Sequence, residues 1–395
     1  MYITTVKPSA CNPFHVLVKP IGPLCNLDCD YCFYLDKSEL FPNKNRFDMS
    51  DEALEAHIKA YIEGQPSGTN EVTFGWQGGE PTLRGIEFYK KAIAFQHHYK
   101  RHGMTVVNTF QTNGVLLDDD WALFLKQHHF LVGISIDGDE QLHNHFRKYR
   151  NGKGSYLQAV RGLRLLQKYG VEYNVLTAVQ ANNGSHGRRV YQHLVSLGAE
   201  FIQFIPVVEA VVDVGISDRS VGSEQFGHFM IDVFNAWREK DIGKIFVSHF
   251  DNALGMSLGM PSSICVHSPK CGYNLVIEHN GDVYSCDHFV YPEFKLGNIE
   301  RNNYPDLIET PIQQSFACGK LVASDLHCVN CSQRRLCHGA CPAHRITLSG
   351  RISFKEKQYL CEGYFIFFTF VQPYLNAMKK CLMKKLPITY YLNMI

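Results

Sequence analysis

The sequence predicts an α/β protein, a partial (β/α)6 TIM-like barrel followed by a small cysteine-rich domain. Three observations predict it. Strand-like and helix-like segments alternate from Phe14 to about Lys240, the alternation then stops, and the cysteines are unevenly placed. Of 14 cysteines in 395 residues, four lie in the first 32 positions, none between Phe33 and Ile264, and ten from Cys265 onward. At roughly 100–200 residues per domain, the length fits two domains. The expected division is a barrel over 1–240, a cysteine-rich domain over 241–375, and a tail over 376–395.

The strand candidates are Phe14–Lys19, Glu71–Trp76, Thr105–Phe110, Leu131–Ile136, Glu172–Val179 and Phe201–Val208, rich in Val, Ile, Phe and Thr as buried strands are. Helical patterns separate them. Ser50 is a candidate N-cap ahead of Leu54, Ile58 and Tyr61, with Asp51 and Glu52 in the first turn. Asp118–Asp120 introduce Trp121–Lys126 in the same way, placing acids at the positive helix end. Leu157, Val160 and Leu163 form a third stripe that Gly170 could stop. Glu209–Ser223 reads as a loop and Glu224–Lys240 as the sixth helix. Such serial β/α units imply a parallel sheet, barrel-like or doubly wound, with ligands at the carboxyl ends of its strands. Beyond, Ile245–Pro261 reads as a connecting helix, and Asn280-Gly281 marks a hairpin between Asn274–Glu278 and Val283–Cys286. The stretch from Phe365 reads as a helix packing back on the body.

Composition narrows the function. With 39 Lys+Arg against 38 Asp+Glu, the net charge of +1 argues against a nucleic-acid binder. The residues Met1 to Pro8 lack the apolar run of an export signal. The apolar run Tyr364–Val371 is far short of the roughly 20 residues that span a bilayer. A cytoplasmic, membrane-free protein is the expectation. Clustered cysteines in a reducing compartment bind metal or do redox chemistry more often than they form disulfides.

Cys25, Cys29 and Cys32 share one short loop after the first strand. Three thiolates there can hold three irons of a cubane cluster and leave the fourth iron open; a zinc site with a borrowed ligand or plain buried thiols are the alternatives. The string Cys25-Asn-Leu-Asp-Cys29-Asp-Tyr-Cys32-Phe-Tyr34 resembles the signature of the radical S-adenosylmethionine (SAM) superfamily, and more specifically the anaerobic sulfatase-maturating enzymes. The resemblance implies a radical SAM barrel in which the open iron chelates SAM, whose cleavage yields a 5′-deoxyadenosyl radical.

Gln77-Gly78-Gly79-Glu80-Pro81 follows the second strand. Alone it reads as a turn; in this position it is similar to the family motif that holds the methionine amine of SAM, through Gly78, Gly79 and Glu80. Gln111-Thr-Asn-Gly114 ends the third strand, Ser135 and Asp137 end the fourth, and Arg147 follows. Alone, these are turn, capping and solvated residues. The resemblance implies that Gln111 lines the cofactor site, that Tyr31 packs on the adenine, and that Ser135 and Arg147 bind the ribose or carboxylate. Val208 stands where the family often has a leucine near the adenine.

The late cysteines, Cys265, Cys271, Cys286 and the run Cys328-x2-Cys331-x5-Cys337-x3-Cys341, with Cys361, suffice for two fully ligated four-iron clusters. Two zinc sites are the alternative. The spacing resembles the SPASM auxiliary-cluster domain, which implies Cys265, Cys271, Cys286 and Cys341 for one cluster and Cys328, Cys331, Cys337 and Cys361 for the other, making three [4Fe-4S] clusters in all. Cys11, Cys318 and Cys381 stand outside both schemes. Asp287, next to Cys286, is either a carboxylate bonded in a turn or a general base; the resemblance implies the base, with Tyr34 and Gln77 positioning the substrate. The implied reaction converts a Cys or Ser of a client sulfatase, met as an unfolded or nascent peptide, to Cα-formylglycine, with an electron donor such as a flavodoxin or ferredoxin. Another radical SAM peptide cross-linking enzyme and a non-catalytic zinc-binding protein are the competing readings.

Overall fold

The computed structural model describes residues 10–41, 47–322 and 326–393. The N-terminal residues read for an export signal lie outside them. Six strands, β1 (His15–Lys19), β2 (Glu71–Trp76), β3 (Thr105–Thr112), β4 (Leu131–Ser135), β5 (Tyr173–Val179) and β6 (Phe201–Pro206), pair in parallel in chain order. Their inward runs, such as Val16, Val18, Phe74, Trp76, Val132 and Ile134, are fully buried, as expected where helices cover a parallel sheet. The helices begin and end where local chemistry directs. The Ser50 side chain accepts from Ala53 N ahead of Asp51–Gly64, and Asp118 accepts from Trp121 N ahead of Asp119–Gln127. Gly170 closes Tyr156–Tyr169 in the left-handed conformation at φ +65°.

After β6 comes a small ribbon, β7 (Ala210–Val211) and β8 (Gly215–Ile216), inside the expected loop. The helix Ser223–Lys240 follows. The segment expected as one connecting helix divides. β9 (Phe246–Val247) pairs with β6 and only Ser248–Ser257 is helical. The edge of β6 offers backbone partners, and the Phe246 ring stacks on Phe201 at 5.0 Å.

The expected hairpin is present as β10 (Asn274–Glu278) and β11 (Asp282–Tyr284), followed by β12 (Lys295–Asn298). It is not a separate layer. β10 pairs in parallel with β1, so one sheet runs β12-β11-β10-β1-β2-β3-β4-β5-β6-β9. β1 pairs with β10 and β2, not β6, and the barrel stays open on that side. The final helix spans Cys361–Met383, four residues earlier at its start than expected from the apolar run. It packs on Ser223–Lys240 at a crossing too close for side chains. A Cβ on Gly227 would meet Gly363 O at 2.6 Å, and one on Gly363 would meet Ser223 O at 2.0 Å. Among the described residues, no helix is long and apolar enough to cross a membrane.

Candidate active site

The loops that leave the carboxyl ends of β1 to β4 form one mouth. The cysteine loop after β1 is held by backbone bonds from Asp28 N to Lys148 O (2.8 Å) and from Cys32 N to Cys29 O (2.9 Å). Asn113 Nδ2 donates to Asn26 Oδ1 at 2.8 Å, pinning the loop to the end of β3. Burial pushes the Cys25 and Cys29 thiols up to about 12 and raises Cys32 as well. Soft donors buried this way favour the charged form only against a metal centre. Among the described residues, no three His, Cys, Asp or Glu side chains converge on one point. Each cysteine of an iron–sulfur cluster binds its own iron, so such donors need only lie near one another.

Gly79 lies against the start of the cysteine loop. Its N–H donates to Gly22 O at 2.7 Å, and a Cβ there would stand 2.0 Å from Leu24 O. Gly78 has φ +149°. Glu80 is fully buried and binds the protein itself. Oε1 accepts from Thr82 N (3.0 Å), Thr82 Oγ1 (2.6 Å) and Thr112 Oγ1 (2.8 Å), and Oε2 from Asn113 N (2.8 Å). It joins the Gly-Gly turn to the end of β3, and Oε2 keeps acceptor capacity for a further donor.

Across the mouth, Asp137 is 1% exposed. Its Oδ2 accepts from Arg147 Nε at 2.7 Å and from the Tyr31 hydroxyl, and its Oδ1 from Ala178 N at 2.9 Å. Although burial opposes the charge, Asp137 and Tyr31 hold the Arg147 guanidinium protonated. Tyr31 meets Phe146 edge to face at 5.8 Å. Val207, with Ala178, packs on this pair, whereas Val208 packs on the main core; neighbours along an extended segment point to opposite sides. Ser135 is buried beside Asp137 at the end of β4.

The third group is where the hairpin region meets the mouth. Lys19 Nζ donates to Gln77 Oε1 at 3.0 Å, and Gln77 Nε2 to Gln111 Oε1 at 2.8 Å. The Tyr34 hydroxyl donates to Glu278 Oε1. Asp287 is half-buried in the short turn Asp287–Phe289 and accepts from Cys286 Sγ at 3.4 Å. Burial alone would raise its carboxyl. The neighbouring His288 and Lys19 and the Cys286 bond outweigh that and hold it below the ordinary carboxylate range. The His288 ring beside it is stacked on Phe33 at 4.9 Å.

The late cysteines fall into two neighbourhoods. The thiols of Cys265, Cys271, Cys286 and Cys341 act electrostatically on one another, and the last three flank the Phe289–Phe316 cluster. Cys328, Cys331, Cys337 and Cys361 line one pocket. Lys320 is buried beside the first set and donates to Cys265 O (3.0 Å), Val266 O (2.8 Å) and Ser268 O (2.7 Å). Cys11 is exposed, Cys318 half-buried, and Cys381 lies in the main core.

Sequence reading missed Lys19, Asn113, Glu278 and Lys320, and noted Asp137 without a role. Lys19 carried a signal: a lysine closing an apolar strand, a residue type almost never buried unless paired. Asn113 sits inside a motif from which only Gln111 was selected.

Residues 20–185 match the model of the Radical SAM superfamily, and residues 265–342 match that of an iron-sulfur cluster-binding domain. The chain is 39% identical over 402 residues to the serine-type anaerobic sulfatase-maturating enzyme of Bacteroides thetaiotaomicron, covering 98% of this chain and 95% of that one. It is 35% identical to the cysteine-type anaerobic sulfatase-maturating enzyme of Clostridium novyi, over 82% of this chain and 87% of that one. The solved structure of native anSMEcpe with bound AdoMet and Cp18Cys peptide matches with a TM-score of 0.85 at 32% identity, covering 93% of this chain and 99% of that one.

Proposed function

Because the chain belongs to the anaerobic sulfatase-maturating enzymes of the radical SAM superfamily, we propose that it oxidises a Cys or Ser in an unfolded sulfatase peptide to Cα-formylglycine. One observation carries the reading to this detail. Asp287 lies within electrostatic reach of Lys19, whose Nζ donates to Gln77 Oε1 and sits over the Tyr34 ring, beside the three-cysteine loop.

The residues fit the implied groups. Cys25, Cys29 and Cys32 supply soft donors for a cluster with one open iron. Gly78, the Gly79 backbone, Glu80, Gln111, Ser135, Arg147 and Tyr31 are the proposed SAM contacts, with Val207 in place of Val208 on the Tyr31 side. SAM bound to that cluster supplies, on reduction, the one-electron chemistry that removes a hydrogen atom from the target Cβ. Tyr34 and Gln77 orient the target side chain. Asp287 Oδ atoms take the proton from its thiol or hydroxyl as the second electron leaves. With a Cys target, water then replaces sulfur and sulfide departs; with a Ser target, the aldehyde forms directly. The two late four-cysteine sets would hold two further [4Fe-4S] clusters, which would supply one-electron acceptor chemistry. The first electron comes from a carrier such as a flavodoxin or ferredoxin.

The test is to incubate reduced, cluster-reconstituted protein with SAM and a Cys-x-Pro-x-Arg or Ser-x-Pro-x-Arg peptide. Formation of 5′-deoxyadenosine and of an aldehyde product is expected, and absence of both refutes the reading. Asp287→Asn should keep cofactor cleavage and lower product formation by about 10²–10⁴-fold, the usual worth of a general base. Product at the parental rate would remove Asp287 from that role.

A further inference from the structure

Lys19 ends β1 at 1% exposure. In the parallel ladder it stands opposite Glu278. Its Nζ lies 4.2 Å from the Tyr34 ring centroid and donates to Gln77 Oε1 at 3.0 Å. The oxygen and nitrogen of a side-chain amide have nearly the same shape, so the surrounding hydrogen bonds decide which way it faces. An ammonium has three donors and no acceptor. It therefore fixes the oxygen of Gln77 inward. The nitrogen must then face Gln111, whose oxygen accepts from it at 2.8 Å. One N–H of Gln77 is used there, and the second is turned away from Lys19.

We propose that Lys19 is a positioning residue for the peptide substrate: it fixes the amide of Gln77 so that an N–H, and not the carbonyl, meets a carbonyl oxygen of the bound peptide. The inference rests on the reading that a peptide occupies this mouth. Without the ammonium, Gln77 can turn over and set its oxygen against the peptide oxygen. Tyr34 supports the same geometry from the other side, because its ring seats the ammonium and its hydroxyl is held by Glu278.

The experiment measures binding of a labelled Cys-x-Pro-x-Arg peptide to the reconstituted enzyme with SAM and no reductant. The variants are Lys19→Met, Gln77→Leu and the two combined. Lys19→Met should weaken peptide binding about tenfold or more, the range of a hydrogen bond to a charged group, with SAM binding unchanged. In the Gln77→Leu background, Lys19→Met should add no further loss, because it acts through that amide. A general structural effect would instead add. Removing Lys19 alone also leaves Glu278 without its buried counter-charge. Lys19→Met/Glu278→Gln removes both charges and should show the same loss if the single variant does not fold. Parental peptide affinity in a folded variant, or full additivity with Gln77→Leu, overturns the inference. A parent enzyme that binds no peptide overturns the substrate reading, and this inference with it.

Discussion

Lys320→Met tests whether one buried ammonium holds the turn on which the first auxiliary donor set depends. Lys320 is 3% exposed, and its Nζ donates to the carbonyls of Cys265, Val266 and Ser268 at 2.7–3.0 Å. The Cys265 carbonyl has a second donor, Ser268 N at 3.2 Å, so the variant leaves the Val266 and Ser268 carbonyls without this one. These two bonds are part-buried, and at about 1.5–3 kcal/mol for each hydrogen bond to a charged group the local cost is about 3–6 kcal/mol. That cost falls on a turn otherwise closed by His267 N to Ile264 O at 3.1 Å and Ser268 N to Cys265 O at 3.2 Å. Met has nearly the length of Lys and fills the space, so the loss is of hydrogen bonds and not of volume. If Cys265, Cys271, Cys286 and Cys341 share one cluster, the opened turn should lower iron and acid-labile sulfide by about four atoms each per chain. Lys320→Arg, which keeps donors in place, should retain more of both. The assay is iron and sulfide content after reconstitution, with limited proteolysis of the 265–271 segment. Parental iron content with an unchanged cleavage pattern would refute the reasoning.

Two other outcomes are open to direct measurement. Gly79→Ala should displace the loop that carries Cys25, because the new Cβ would stand 2.0 Å from Leu24 O and 2.7 Å from Pro23 O, backbone atoms that cannot yield separately. SAM affinity should fall at least tenfold, and unchanged affinity would show that the two loops move independently. His249 is buried, neither ring nitrogen has a hydrogen-bond partner among the described residues, and burial pushes its imidazole down to about 4. Between about pH 6.5 and 4 the unfolded chain binds a proton there that the folded chain does not. Its stability contribution is therefore fully present above pH 6.5 and drains as pH falls, by about 1.4 kcal/mol per pH unit. His249→Leu should flatten that part of the decline, read as the parent–variant difference in urea midpoint at pH 7.5 and pH 5.5. A difference that does not change with pH would place the histidine's proton elsewhere.

The fold was legible because its signals are local. Ser50, Asp118 and Gly170 cap helices through atoms two or three residues away, and the apolar strand runs are contiguous, so a linear reading finds them. The three-cysteine loop stood out for a related reason, since Cys25, Cys29 and Cys32 are close in sequence, whereas the grouping of the late cysteines, spread from Cys265 to Cys361, came only from the resemblance. What escaped the reading was long-range pairing. Glu80 read as a ligand for an ammonium; its carboxylate also binds Thr112 and Asn113, some 30 residues on, and their side-chain and backbone donors have no sequence signature. Val208 stood out by motif position, yet its neighbour Val207 packs on the Tyr31 pair, because the phase of the segment after β6 is set by its partner Val179. Ile245–Pro261 read as one helix because a two-residue edge strand is too short to show periodicity.

The parallel pairing of β10 with β1 links the two halves of the chemistry. β1 delivers the three-cysteine loop at its carboxyl end. A parallel neighbour ends at the same edge, so β10 brings Glu278 level with Lys19, and in the hairpin β11 then runs back antiparallel, with Tyr284 opposite Val276, carrying Asp287 within electrostatic reach of Lys19. An antiparallel pairing would have sent that hairpin to the far side of the sheet. A one-residue slip would also have failed, because it turns every side chain to the opposite face, separating Glu278 from both Tyr34 and Lys19. The cysteine-rich region therefore does more than carry metal donors beside the barrel. It supplies a strand to the barrel sheet, and the register of that strand sets Glu278 level with Lys19, within whose electrostatic reach Asp287 also lies.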